Sequence, residues 1–149
     1  MTRIDRLIKM SSDPIWIVIG GQWGSEGKGA FIGWLADPEN PENILKVTGN
    51  KTLAVVRTGG PQAGHTILFK GKPYAMRQIP CAWHNPDALL FIGPGALIDV
   101  ELIIHEAKMV DEAVGIPGYV SERLFIDRHA TIVEERHRQA EADLVKGIG

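Results

Sequence analysis

Two short stretches hold most of the residues whose types and spacing suit chemistry. Residues 20–30 read GGQWGSEGKGA, five glycines around Ser25, Glu26 and Lys28, and residues 57–66 read RTGGPQAGHT, ending in His65 and Thr66. A glycine-dense backbone can turn several N–H groups toward one anion, and a helix that follows adds the positive end of its dipole. Lys28 adds a point charge, so phosphate is the ligand that suits the first loop. Its spacing is not that of a Walker A loop, which needs four residues between its glycines and Ser or Thr after the lysine. Here five residues separate Gly21 from Gly27, and Gly29 follows Lys28. The dinucleotide spacing G-x-G-x-x-G is missing too. Glycines that only make tight turns are the plainer alternative, and a lone histidine before a strand is more often structural. His84, His105, His129 and His137 show no H-E-x-x-H or paired metal spacing, which places them at the surface or partly buried. Trp23 suits a ligand wall and loop packing equally.

These loops need elements that position them. Residues 15–19, IWIVI, form a continuous apolar run after Pro14 that predicts a strand buried on both faces and feeding the first loop. Residues 29–36 predict a short helix packed on that strand. Residues 37–52, with two Pro-Glu-Asn triplets, read as a surface excursion with one apolar anchor near Ile44 and Leu45. A second strand over 53–56 runs into the second loop, and ILF and YAM flank a turn at 70–73, which predicts a hairpin. Residues 89–92 and 124–126 are further buried strands. Between them Asp99 caps a helix whose apolar positions Val100, Ile103, Ile104, Ala107, Val110 and Val114 share one face, with Gly115 and Pro117 to stop it. Residues 131–145 are charged and helix-compatible. Buried strands alternating with helices predict an α/β fold with a mostly parallel central sheet, which binds ligands at the carboxyl ends of its strands.

The chain has 149 residues, enough for one domain with a sizeable core. A hydrophobic fraction of 44% with 23% charged residues excludes a disordered class. The formal net charge of -2 gives no electrostatic reason to expect nucleic acid or an anionic membrane as partner. Cys81 is the single cysteine and has no internal disulfide partner, which favours a reducing compartment, the cytoplasm. Residues 1–14 include Asp5, lack the apolar stretch of a signal peptide and read as an N-terminal extension. No later segment is long and apolar enough to span a bilayer.

GGQWGSEGKG resembles the Gly-x-Gln-Trp-Gly-Asp-Glu-Gly-Lys-Gly signature of adenylosuccinate synthetases, and GGPQAGHT resembles their Gly-Gly-x-Asn-Ala-Gly-His-Thr motif. The likeness continues more weakly through RQIP, IGPGALID and SERLFID, so it covers nearly all of residues 15–149. Family members are longer, and this stretch resembles the N-terminal part of their synthetase domain, which continues past residue 149. The resemblance implies a P-loop NTPase-like α/β fold and a C–N ligase. In that reaction a nucleoside triphosphate phosphorylates O6 of a purine monophosphate, and the amino group of L-aspartate displaces the phosphate. By the same resemblance the triphosphate lies against Gly24, Ser25, Glu26, Gly27, Lys28, Gly29, Gly64, His65 and Thr66. The purine monophosphate meets Ser25, Glu26, Gly27, Lys28, Gln62, Ala63, Gly64 and His65. A Mg²⁺ ion is implied on Ser25 and the Gly64 carbonyl, with Ser25, Lys28 and His65 catalytic and His65 a general acid at O6. A homodimer in which a neighbour's arginine completes the site is implied as well.

The chain departs from the family pattern at Ser25, where ordinary members carry an aspartate that binds Mg²⁺ and takes the N1 proton of hypoxanthine. A serine is no general base without an activating partner. Its hydroxyl can still ligate Mg²⁺, and its smaller volume leaves room beside N1 for the 2-amino group of guanine, from which it can accept a hydrogen bond. The phage branch of the family, the aminoadenylosuccinate synthetases of phages that replace adenine with 2,6-diaminopurine, is similar in carrying a small hydroxyl residue here. That branch implies dGMP as substrate and ATP or dATP as phosphate donor. Gln62 for the usual asparagine and Ala30 for a second lysine mark a divergent member without identifying the substrate. An ordinary synthetase using IMP and GTP, with Ser25 a tolerated variant, is the second reading. A nucleotide-binding unit without catalytic activity is the third.

Overall fold

The computed structural model describes residues 15–22, 26–49 and 53–146. Strands β1 (Leu53–Arg57), β4 (Ala88–Ile92) and β6 (Leu124–Ile126) form a parallel sheet in the order β1-β4-β6. β4, ALLFI, lies in the middle and is buried along nearly its whole length, as a continuous apolar run requires when both faces are covered. β2 (His65–Phe69) and β3 (Lys72–Met76) make an antiparallel hairpin in which His65 faces Met76. Its two-residue turn takes positive φ at both positions, 50° at Lys70 and 75° at Gly71, the geometry that matches strand twist. Helices α1 (Lys28–Ala36), α2 (Ile44–Thr48), α3 (Val100–Val114) and α4 (Glu135–Lys146) complete the described chain with a small parallel pair, β5 (Leu97–Ile98) and β7 (Thr131–Ile132).

The mostly parallel α/β architecture matches the sequence reading, and so do the hairpin and the caps of α3. The Asp99 side chain accepts from the Leu102 N–H at 3.1 Å, and Gly115 ends α3 in the left-handed region at φ 82°. Several expectations need correcting. Residues 15–19 form no strand, and Ile15 and Ile17 are 88% and 80% exposed. A run apolar on both faces requires neighbours on both sides, and no described strand pairs with it. α1 therefore packs on β2 rather than on residues 15–19, through Gly33, where an added Cβ would stand 3.3 Å from Ile67. Residues 131–145 are not one helix, because Thr131–Ile132 join β5 and the N–H of Val133 donates to the Ile98 carbonyl at 2.7 Å. On α3, Val100 and Ile104 are exposed while Glu106 takes a buried place between Ile103 and Val110. His84 is buried rather than at the surface, edge-on to Trp83. The N-terminal extension, residues 1–14, lies outside the described residues.

Residues 78–85, QIPCAWHN, are all buried although they belong to no helix or strand. Such a segment must find partners for its backbone groups away from water. Glu106 supplies the acceptors at one end, taking the N–H groups of Arg77, Gln78 and Ile79 at 2.6, 3.0 and 2.8 Å. Arg123 supplies the donors at the other, giving to the carbonyls of Trp83, Asn85 and Ala88 at 2.8, 2.6 and 3.1 Å and to that of Tyr119 at 3.1 Å. Its guanidinium also lies 3.8 Å over the Tyr119 ring. The Asn85 side chain donates to the Ala36 carbonyl at 2.7 Å, so the end of α1 is tied to the same segment. Trp83, fully buried, packs edge-on against Phe69 and Tyr74 of the hairpin.

A lysine cannot span four carbonyls that a planar guanidinium reaches together, and hydrogen bonds from charged donors contribute about 1.5–3 kcal/mol each. Arg123→Lys should therefore lower unfolding free energy by about 2–3 kcal/mol in urea denaturation, and a change below about 0.5 kcal/mol would show that the carbonyls find other partners.

Candidate functional site

The second glycine loop leaves the carboxyl end of β1 and returns at His65, the first residue of β2. It has no regular structure of its own, and Arg57 organises it. The Arg57 side chain donates to the carbonyl of Gly60 at 3.2 Å and to that of Ala63, clasping both ends of the turn around Gln62. Gly59 adopts φ 102°, a conformation that disfavours any side chain, and its carbonyl accepts from Leu97 at 3.2 Å. Gln62, Ala63, Gly64 and Thr66 are exposed at the surface. Gln62 also lines an open cavity of about 530 Å³ shared with Arg77, Asp99, Thr131, His137 and Arg138. None of the other expected site residues lines that cavity.

His65 differs from its neighbours in the loop. Both ring nitrogens are buried and neither makes a hydrogen bond of good geometry among the described residues, with the Ile79 backbone the polar group near enough to favour the protonated ring. Burial, and secondarily the Arg57 cation, depress its pKa from 6.5 to about 4 against a smaller opposing contribution from the Ile79 backbone. At neutral pH His65 is therefore an uncharged imidazole with one N–H to give and one lone pair to receive. Buried polar groups without partners are uncommon, and one in a loop flanked by exposed backbone is a group to which a ligand can bond.

The first loop reaches the same place. α1 begins at Lys28 after Gly27, which caps it in the left-handed region at φ 74° without any side-chain hydrogen bond. The N–H groups of the first turn are thus left for an anion. Gly29 lies directly against His65: a Cβ there would overlap the His65 Cβ and stand 3.4 Å from Cys81 Sγ. Absence of a side chain at Gly29 is what lets the helix start approach the histidine so closely. Glu26 and Lys28 are exposed and paired with each other, and Glu26 also accepts from the Gln22 N–H at 2.7 Å. The bond from Lys28, first, and that from Gln22 hold the Glu26 carboxyl below its usual range. Gly24, Ser25 and Trp23 lie outside the described residues, so the structure gives no position for them.

Cys81 is buried behind Gly29, and burial pushes its thiol up to about 11, which leaves it protonated and unreactive. The Gly64 carbonyl is a hard oxygen on an exposed residue, and no described group donates to it. It is chemically suited to Mg²⁺, as is a serine hydroxyl. Among the described residues no cluster of three or more His, Cys, Asp or Glu forms a metal site. Among the described residues no helix is long and apolar enough to cross a membrane. Sequence reasoning passed over Arg57 and Glu106. The available signal for Glu106 was a carboxylate three residues after Ile103 and four before Val110, in the middle of the apolar stripe of α3.

A family model for adenylosuccinate synthetase matches residues 17–146. The adenylosuccinate synthetase of Pyrococcus horikoshii is 39% identical over 127 residues, 85% of this chain and 33% of that protein. That of Methanocaldococcus jannaschii is 37% identical over 137 residues, 89% of this chain and 35% of that protein. Among solved structures, fully ligated adenylosuccinate synthetase from Plasmodium falciparum superposes with a TM-score of 0.62 at 28% identity, covering 86% of this chain and 27% of that one. The succinoaminodeoxyadenylate synthetase of cyanophage S-2L, bound to dGMP and to dATP as an energy donor, does so with a TM-score of 0.58 at 25% identity, covering 82% and 30%. The chain spans about a third of the length of the curated relatives it matches.

The state of His65 is directly measurable. NMR titration of its ring should give a midpoint near 4, set by burial first and Arg57 second, and a midpoint above 6 would mean that the ring is solvated. Because the folded value lies below the unfolded one, the unfolded chain binds more protons below pH 6.5. The stability that His65 contributes is intact above about pH 6.5 and is lost as the pH falls through about 4.

Proposed function

This chain belongs to the adenylosuccinate synthetase family, and from that premise we propose that its protein joins L-aspartate to C6 of dGMP through a 6-phosphoryl intermediate. ATP or dATP is the phosphate donor in this reading, the product is 2-amino-2'-deoxyadenylosuccinate, and the pathway served is diaminopurine DNA precursor synthesis. The observation that carries the substrate is Ser25 within GGQWGSEGKG, where the family pattern has aspartate. A solved relative at 25% identity that holds dGMP and dATP supports it. The archaeal relatives support the ligase class and favour the second reading, an ordinary synthetase acting on IMP.

The residues divide the work as follows. The exposed start of α1, with Gly27, Gly29 and the Lys28 ammonium, receives the phosphates of the triphosphate, and Glu26 releases Lys28 to them. Thr66, beside His65 on β2, lies along the triphosphate. Gln62 and Ala63 hold the purine monophosphate. His65, a neutral ring before the nucleotides bind, donates its N–H to O6 as negative charge develops there, and the nearby phosphate charges raise its basicity for proton transfer. The Gly64 carbonyl and the Ser25 hydroxyl would hold a Mg²⁺ ion, which would neutralise phosphate charge when bound. Ser25 accepts a hydrogen bond from the guanine 2-amino group, and with no carboxylate present hypoxanthine is not deprotonated at N1. The protein works as a homodimer in the cytoplasm under the same proposal.

A site built to bond the 2-amino group rejects the analogue lacking it, so kcat/KM for dGMP should exceed that for IMP by about a hundredfold or more. Ser25→Asp should lower that ratio at least tenfold by crowding the 2-amino group. A wild-type preference for IMP would leave the ordinary synthetase standing. A preference for dGMP unmoved by Ser25→Asp would remove Ser25 as its cause.

A further inference from the structure

Glu106 is a carboxylate at 2% exposure in the middle of α3, remote in sequence from both glycine loops. Its oxygens converge on three successive backbone N–H groups, with Oε1 on Arg77 and Oε2 on Gln78 and Ile79. A buried carboxylate needs such partners, and three consecutive N–H groups turned toward one anion form a nest whose shape the anion fixes. The geometry reaches His65 by two short routes. Arg77 directly follows Met76, the residue paired with His65 across the hairpin. Met76 also presents its carbonyl 3.5 Å from the position of a Cβ on Gly64. On the other side, Ile79 leads through Pro80 to Cys81, whose sulfur stands 3.4 Å from where a Cβ on Gly29 would lie, and that same Cβ would overlap the His65 Cβ. The backbone on either side of the nest is therefore the wall of the niche that holds the histidine.

We propose, resting on the reading that His65 serves the purine nucleotide, that Glu106 is the positioning residue for His65, holding the niche through the backbone of residues 77–79. Glu106 makes no hydrogen bond to either loop; besides holding that backbone, its charge acts on Arg57, which clasps the second loop. Its loss frees three N–H groups whose hydrogen bonds among the described residues all go to Glu106, so residues 77–79 open toward water and carry the β3 end of the hairpin with them. The start of α1 has no bond to Glu106 and keeps its geometry.

Glu106→Gln keeps the shape while placing an amide NH₂ against N–H donors. Glu106→Asp keeps the charge on a shorter stem. In Glu106→Gln, hydrogen exchange at residues 77–79 should accelerate by about tenfold or more, with the acceleration spreading to residues 64–67 and sparing residues 28–36. Affinity for dGMP and kcat should each fall about tenfold while the KM for ATP stays within about twofold, and Glu106→Asp should recover part of both losses. Acceleration confined to residues 77–79 with wild-type kcat and dGMP affinity would overturn the proposal and leave Glu106 a structural anchor. Should wild-type protein bind neither nucleotide, the functional reading fails, and the spread of exchange from residues 77–79 into 64–67 alone still decides whether Glu106 positions His65. A Glu106→Gln chain that does not fold passes the decision to Glu106→Asp, whose exchange at residues 64–67 must exceed that of wild type or the proposal falls.

Discussion

Backbone polar groups cannot be buried without partners, and residues 78–85 run through the interior with no helix or strand to supply them. Two charged side chains do so, Glu106 accepting N–H groups at one end and Arg123 giving to carbonyls at the other. The hairpin and the helix that border the candidate site rest on this segment. The hairpin that begins with His65 packs on Trp83, the end of α1 is bonded by Asn85, and Cys81 fills the space behind Gly29. Charged groups can be kept in the interior because each meets several aligned dipoles at once, which offsets the cost of leaving water.

The same enclosure sets the chemistry of the histidine. Burial first and the Arg57 cation second make protonation costly, and they outweigh the Ile79 backbone, so His65 is a neutral ring. Under the proposed function, a phosphorylated purine would bring negative charge to that place and reverse the local balance, favouring the protonated ring. Arg57 serves twice: its side chain shapes the loop around Gln62, and its charge depresses the nearby imidazole.

Much of this was legible in the residues because the signals were local. A turn with lysine and glycine between alternating strands, an aspartate three residues ahead of the N–H it caps, and a glycine at the end of α3 each act within a few positions. The two glycine loops could be paired by type, and the contact between Gly29 and His65 places them together. The failures were non-local. The IWIVI run announces that it suits burial but not which strands would cover it, and the described chain covers it with none. Thr131 and Ile132 look neutral between strand and helix until β5 is beside them. Apart from the Arg123 bond to Tyr119, Glu106 and Arg123 bond residues 27 to 40 positions away, and no pattern in the sequence couples such positions.

A structure of the natural protein with dGMP and a non-hydrolysable ATP analogue tests the central claim most directly, that the two glycine loops form one purine nucleotide site around His65. A His65 ring nitrogen should lie about 3 Å from O6 of the guanine, with the Ser25 hydroxyl about 3 Å from the 2-amino nitrogen and the analogue's phosphates on the N–H groups at the start of α1. A guanine bound with O6 beyond hydrogen-bond reach of His65, or phosphates bound away from α1, would contradict it.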